Sequence, residues 1–151
     1  MWIRVIIFLV INFAGLAIGG FFTGDGVPSE WYQQMNKAPW TPPGWVFGVA
    51  WTTIMITFSI FLAKLYNKEN RVVFIVLYGA QVILNISWNP VFFYYRNTLF
   101  GLIIITALTV LIYTYFLNYY KTLRWWSLLI VPYFVWINIA TSLNAYVVIY
   151  N

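Results

Sequence analysis

Charged side chains divide this sequence into five uninterrupted neutral stretches: 5–24, 38–63, 72–95, 97–120 and 125–151. Each is 20 to 27 residues long. A helix rises ~1.5 Å per residue, so ~20 apolar residues cross the hydrocarbon core of a bilayer. The runs are continuous, as in VVFIVLYGAQVIL (72–84), and do not alternate as the strands of a membrane barrel would. The pattern predicts five transmembrane helices, at about 4–22, 43–65, 71–94, 98–119 and 124–149. The expected fold is an all-α membrane protein: one domain, 1–151, a five-helix bundle whose long first loop (23–41) acts as a lid. The first run is long for a signal-peptide core and has no persuasive small-x-small cleavage site, so it is read as the first span.

Composition agrees with this pattern. Of 151 residues, 63% are hydrophobic and only 7% charged, against about a quarter charged in an ordinary soluble domain. Orientation follows from the basic residues. Arg4, Lys64, Lys68, Arg71, Lys121 and Arg124 fall on one side of a five-span chain, Lys37 and Arg96 on the other. The amino terminus is therefore expected in the cytoplasm and the first loop outside, with a bacterial cell membrane as the expected home. The net charge of +5 needs no nucleic-acid partner, because attraction to anionic membrane lipid explains it.

The inventory excludes much chemistry. With no cysteine and no histidine, there is no disulfide, thiol catalysis or histidine-based metal site. No metal site and no required cofactor are expected, since haem iron could be held only through Tyr or Met. The three acids, Asp25, Glu30 and Glu69, all lie in loops. A proton-coupled exporter usually places an ionisable group within the membrane, so such an exporter is a poor reading.

Polar residues gather in one half of the bilayer. With the third and fifth spans running outward, Asn85, Ser87, Trp88, Asn89, Asn138, Thr141, Ser142 and Asn144 all lie beneath the first loop. Gln81, Asn85 and Asn89 share a face at i, i+4, i+8. They either hydrogen-bond between helices or line a wet cavity. Asn85, within LNISWNP, is the stronger cavity candidate. Gly15 and Gly19 form a GxxxG pair suited to close helix packing, and Gly79 with Ala80 could serve a dimer. Pro90 either kinks the third span or marks its end.

The first loop carries Trp31, Tyr32, Met35 and Trp40. Its PSEWYQQM segment reads as a short helix capped by Ser29. That helix either lies on the bilayer surface or covers the bundle, and the apolar load favours the cover. The loop leads into APWTPPGWVFGVAWT (38–52). Thr41 is a fair N-cap, and Pro42 and Pro43 suit a first helical turn. Trp40 and Trp45 fit an interfacial belt. Trp51 lies ~12 Å further along the helix than Pro43, too deep for the belt. With Phe47 one turn above, it offers a flat aromatic wall.

APWTPPGWVFGVAWT, LNISWNPVFF (84–93) and PYFVWINIATSLN (132–144) closely resemble the translocator protein (TspO/MBR) family. Its bacterial members are tryptophan-rich sensory proteins and its animal members peripheral benzodiazepine receptors. The resemblance covers essentially the whole chain. It implies a homodimer of five-helix bundles, with one pocket per protomer beneath the first loop. The implied ligands are protoporphyrin IX and other tetrapyrroles, and drug-like isoquinoline carboxamides or benzodiazepines. Carried across the motifs, the implied pocket residues are Tyr32, Pro42, Phe47, Trp51, Asn85, Trp88, Trp136, Ala140 and Leu143. The chain departs from the family pattern at Met55, where a tyrosine is frequent, in having no acid in the fourth span, and in ending VVIYN without an arginine-bearing sterol motif.

Four functions are open at this level: tetrapyrrole binding, light-dependent breakdown of protoporphyrin, passive transport or regulation of efflux, and structural support of another membrane complex. Breakdown needs no acid–base pair, since an excited porphyrin generates reactive oxygen and nearby tryptophans relay electrons. Trp51 and Trp136 are the candidate catalytic residues for it.

Overall fold

The computed structural model describes residues 1–22 and 25–151. Thr23 and Gly24, where the first loop begins, lie outside the described residues. The elements are α1 (Trp2–Phe21), α2 (Glu30–Gln33), α3 (Gly44–Leu65), α4 (Arg71–Asn89), α5 (Thr98–Leu123) and α6 (Val131–Tyr150). Among the described residues there is no strand. Four continuous helical stretches are long and apolar enough to cross a membrane: Trp2–Phe21, Gly44–Leu65, Arg71–Tyr94 and Thr98–Tyr150.

The last of these folds back on itself. Arg124 takes a left-handed φ of 51°, unusual for a side chain with a Cβ. The chain then continues as a 3₁₀ segment, Arg124–Ile130, before α6 starts with Pro132 in its first turn. Three hydrogen bonds pair α5 and α6 in antiparallel register. The Tyr113 hydroxyl donates to Asn138 Oδ1 at 3.0 Å, Thr109 and Thr141 hydroxyls meet at 2.8 Å, and Asn144 Nδ2 donates to the Thr98 carbonyl at 2.9 Å. The span expected at 124–149 thus begins with tighter turns, and its α-helix proper starts at Val131.

The other boundaries are close to those read from charge. Asn70 caps α4 by accepting from the backbone N–H groups of Val72 and Val73. Pro90 does not stop its helix outright: Pro90–Tyr94 forms a π-helical turn closed by a bond from the Tyr95 N–H to the Pro90 carbonyl, 2.9 Å long. One entry differs from expectation. Pro43 occupies the N-cap position of α3 and no side chain caps that end. Thr41 instead closes a turn, giving both its N–H and its hydroxyl to the Ala38 carbonyl. Proline has no N–H to satisfy, so the helix starts one residue later without a cap.

The core is densest toward the end that carries most of the basic residues. Ile54, Phe58, Phe61, Leu62, Leu65, Ile112, Tyr115 and Tyr133 are completely buried. The Phe58 ring meets Tyr115 and Tyr133 edge-on at 5.6 and 5.2 Å, the arrangement aromatic quadrupoles favour. Polar groups here are mostly paired. Asn12 Nδ2 donates to Ser59 Oγ, the Tyr78 hydroxyl donates to Asn12 Oδ1, and Gln81 Nε2 donates to the Tyr133 hydroxyl. Gln81 therefore takes the role of interhelical bond. The GxxxG pair packs α1 on α4: a Cβ added at Gly15 would meet Ile86 Cγ1 at 3.3 Å, and one at Gly19 would meet Asn89 Nδ2 at 2.9 Å. A Cβ at Gly79 would meet nothing within 4 Å.

Candidate ligand pocket

At the opposite end the packing loosens around a cluster of aromatic rings. The short helix α2 starts as the sequence suggests: Ser29 Oγ accepts from the Tyr32 N–H at 3.3 Å. This places Tyr32 inward, 5% exposed, against Phe92 and Phe93 at ring distances of 6.2 and 5.7 Å. Trp31 meets the same two rings at 5.7 and 6.4 Å. Burial raises the Tyr32 hydroxyl above the ordinary tyrosine pKa of 10.0, so this group stays neutral. Beyond α2 the loop is tied to the end of α6. The Asn36 N–H donates to Asn151 Oδ1 at 2.9 Å, its Nδ2 to the Tyr150 carbonyl at 3.0 Å, and Asn151 Nδ2 returns to the Asn36 carbonyl at 3.2 Å. Trp40 Nε1 adds a bond to Ser142 Oγ at 3.1 Å.

Beneath α2 lies a cavity lined by Tyr32, Phe47, Trp88, Phe92, Phe93, Ala140, Leu143, Asn144 and Val147. Side chains nearly fill it, leaving about 20 Å³ free. Beside it an open groove of about 390 Å³ runs between α1, the first loop, α3 and α4, past Leu16, Gly48, Trp51 and Asn89. Phe47, Trp88 and Phe93 border both spaces. These three rings are the partition. The Trp88 ring lies stacked on Phe92, 5.2 Å away and tilted by 21°, and its Nε1 donates to Asn144 Oδ1 at 3.0 Å. Since Asn144 Nδ2 is bonded to Thr98, both ends of that amide are used and the indole is held in one orientation.

The cavity brings together Tyr32, Phe47, Trp88, Ala140 and Leu143 of the expected residues. Trp51 borders the groove and sets its ring 6.0 Å from Tyr133. Trp136 stands behind Phe47, rings 5.2 Å apart and perpendicular, with its buried Nε1 lacking a hydrogen-bond partner. It also borders a shallow depression with Ala50, Val131 and Pro132. Asn85 lies elsewhere: it lines a filled crevice between α1 and α4 with Asn12, Gly15 and Gln81. Pro42 borders neither the cavity nor the groove. Four lining residues were not in the expected set: Phe92, Phe93, Asn144 and Val147. Phe92 and Phe93 lie within the expected third span, 71–94, in the π turn that follows Pro90.

A model of the TspO/MBR family matches residues 7–150. The chain belongs to the TspO/MBR family. Among its relatives, the tryptophan-rich protein TspO of Chlorobaculum tepidum is 36% identical over 90% of this chain and 85% of its own length. The tryptophan-rich sensory protein of Cereibacter sphaeroides is 32% identical over 78% of this chain and 74% of its own. The human translocator protein is 27% identical over 95% and 87%. As a TspO/MBR member the chain is a membrane protein, which agrees with its apolar helices. Its aromatic cavity is the feature that needs a functional explanation. No set of acidic residues that could hold a metal occurs among the described residues.

Proposed function

We propose that this TspO/MBR protein crosses the membrane five times and binds a tetrapyrrole, such as protoporphyrin IX, between α3, α4 and α6 beneath the first loop. The carrying observation is the ring cluster of Tyr32, Phe47, Trp88, Phe92 and Phe93 around one cavity, with the Asn144 amide as its polar point. Flat aromatic walls with few polar groups suit a flat apolar macrocycle, or an isoquinoline carboxamide or benzodiazepine. Pockets for such ligands occupy ~300–1,000 Å³, far more than the free 20 Å³. Occupancy therefore requires the Phe47, Trp88 and Phe93 partition to swing so that cavity and groove merge. The first loop acts as lid, and propionates at the mouth meet Lys37 or Arg96. The antiparallel return of α6 along α5 supports the fifth pass.

The same reading includes light-driven breakdown of the bound porphyrin. Trp51 on the groove and Trp136 behind Phe47 are positioned to lose electrons to an excited macrocycle or its oxygen products. The protein would act as a homodimer in a bacterial cell membrane, with the amino terminus in the cytoplasm. Passive transport of the same ligand is the alternative, with the loop as gate.

The deciding experiment titrates purified protein with protoporphyrin IX in darkness, following tryptophan quenching, and then illuminates it. Saturable quenching blocked by an isoquinoline carboxamide, followed by protein-dependent loss of the porphyrin spectrum, is the expected result. Absence of saturable quenching overturns the binding assignment. Binding with unchanged porphyrin loss in light removes the breakdown reading alone, and flux of porphyrin across liposomes then tests transport.

A further inference from the structure

Two cations at the basic end of the bundle face a single aromatic ring. The Arg4 guanidinium of α1 lies 4.6 Å from the centroid of Tyr66, and that of Arg71 on α4 lies 5.9 Å from it. Each makes one hydrogen bond to a neutral acceptor: Arg4 to Asn67 Oδ1, and Arg71 Nη2 to the Tyr66 hydroxyl at 2.9 Å. Among the described residues neither has a carboxylate partner. The chain has only three acids, and two of them, Asp25 and Glu30, sit in the loop at the other end. The third, Glu69, is engaged on both oxygens, by the Tyr119 hydroxyl and by the Asn70 N–H. Each guanidinium keeps its full charge and has most of its five donors unused. Tyr66 is shared by both guanidinia and neutralises neither.

We infer that Arg4 and Arg71 together bind the phosphate of an anionic glycerophospholipid, which bridges α1 to the α3–α4 turn. Arginine forks match phosphate oxygens in bidentate geometry. The site also lies at a helix end where headgroups of a bilayer sit. Ile3 and Ile7 on α1, and Val72 and Ile75 on α4, are exposed beside it and offer an apolar surface to the acyl chains. The inference rests on the chain spanning a bilayer and is independent of what the aromatic cavity binds. It differs from diffuse attraction of a basic surface because it names two positions among the eight basic residues.

The test uses the full chain in a neutral detergent, titrated separately with phosphatidylglycerol, phosphatidylcholine, and inorganic phosphate. Retention of lipid is read by native mass spectrometry and stability by thermal unfolding. One phosphatidylglycerol retained per chain is expected, with a raised Tm, since a ligand that binds only the folded state stabilises it. Arg4→Gln and Arg71→Gln should each weaken retention at least tenfold and remove the Tm rise, while Lys68→Gln and Lys121→Gln leave both unchanged. Arg4→Lys and Arg71→Lys keep the charge but lose the fork, and should weaken retention in chains that fold normally. Equal weakening by all four glutamine variants, equal retention of phosphatidylcholine, or the same Tm rise from inorganic phosphate alone would each overturn the assignment.

Discussion

The two ends of α3 illustrate two uses of the same material. From Ile54 to Leu65 the helix meets a core in which whole aromatic rings are sealed from solvent. From Gly44 to Trp51 it borders a cavity and an open groove. Both ends carry aromatic rings, Trp45, Phe47 and Trp51 in one and Phe58 and Phe61 in the other, so aromatic content alone does not separate them. Packing does. Phe58 is locked between Tyr115 and Tyr133, whereas Phe47 stands between a nearly filled cavity and an open groove. One half of the bundle fixes the helices, and the other keeps rings that have somewhere to move.

The sharpest way to break this contrast is to truncate one ring in each half. Phe58→Ala should destabilise by about 3–5 kcal/mol, the usual cost of a buried phenylalanine cavity, read as a lower denaturation midpoint with ligand affinity intact in the folded fraction. Phe47→Ala should cost much less stability and enlarge the merged space, read as altered ligand affinity at nearly unchanged Tm. Equal losses of stability would erase the distinction. Next comes the bond that fixes the partition. Asn144→Ala removes the acceptor of the Trp88 indole and should cost about 1 kcal/mol, with faster ligand exchange as its functional sign.

A smaller effect is expected at the start of α2. Ser29→Ala should cost that short helix about 1 kcal/mol, visible as faster ligand dissociation and not as a change in global Tm. The smallest concerns Tyr32. Its folded pKa lies above the unfolded value of 10.0, so above that pH the undocked segment releases a proton that the docked one retains. Docking of α2 is therefore at full strength below pH 10 and weakens as pH rises beyond it. Ligand dissociation should accelerate in alkaline buffer, and Tyr32→Phe should abolish the acceleration.

How far the sequence reached depends on the kind of information involved. Charge-free runs mark helices because burying a charge in hydrocarbon is costly, and every long helix lies within one of the expected stretches or close to it. Depth singled out Trp51, with Phe47 one turn above it, whereas Trp88 was named through the family motif; Phe47 and Trp88 border the cavity and Trp51 the groove. Asn85 lies apart from the cavity. It shares a face with Gln81, and that face turns toward α1, where Asn12 and Gly15 lie. Periodicity shows that residues share a face but not which neighbour the face meets. Phe92 and Phe93 were hidden for another reason: the helix passes Pro90 by widening to a π turn, a geometry without an apolar period of its own.

The link between Asn36 and the end of α6 has a kinetic meaning. It joins residues 114 and 115 positions apart through bonds that belong to no helix. Breaking it leaves each helical ladder whole. Under the proposed binding, the barrier to admitting a ligand is set by a few surface amides, each worth roughly 0.5–1.5 kcal/mol, and by the ring contacts of α2. On that proposal access is decoupled from unfolding, and a ligand would exchange without risk to the helical structure.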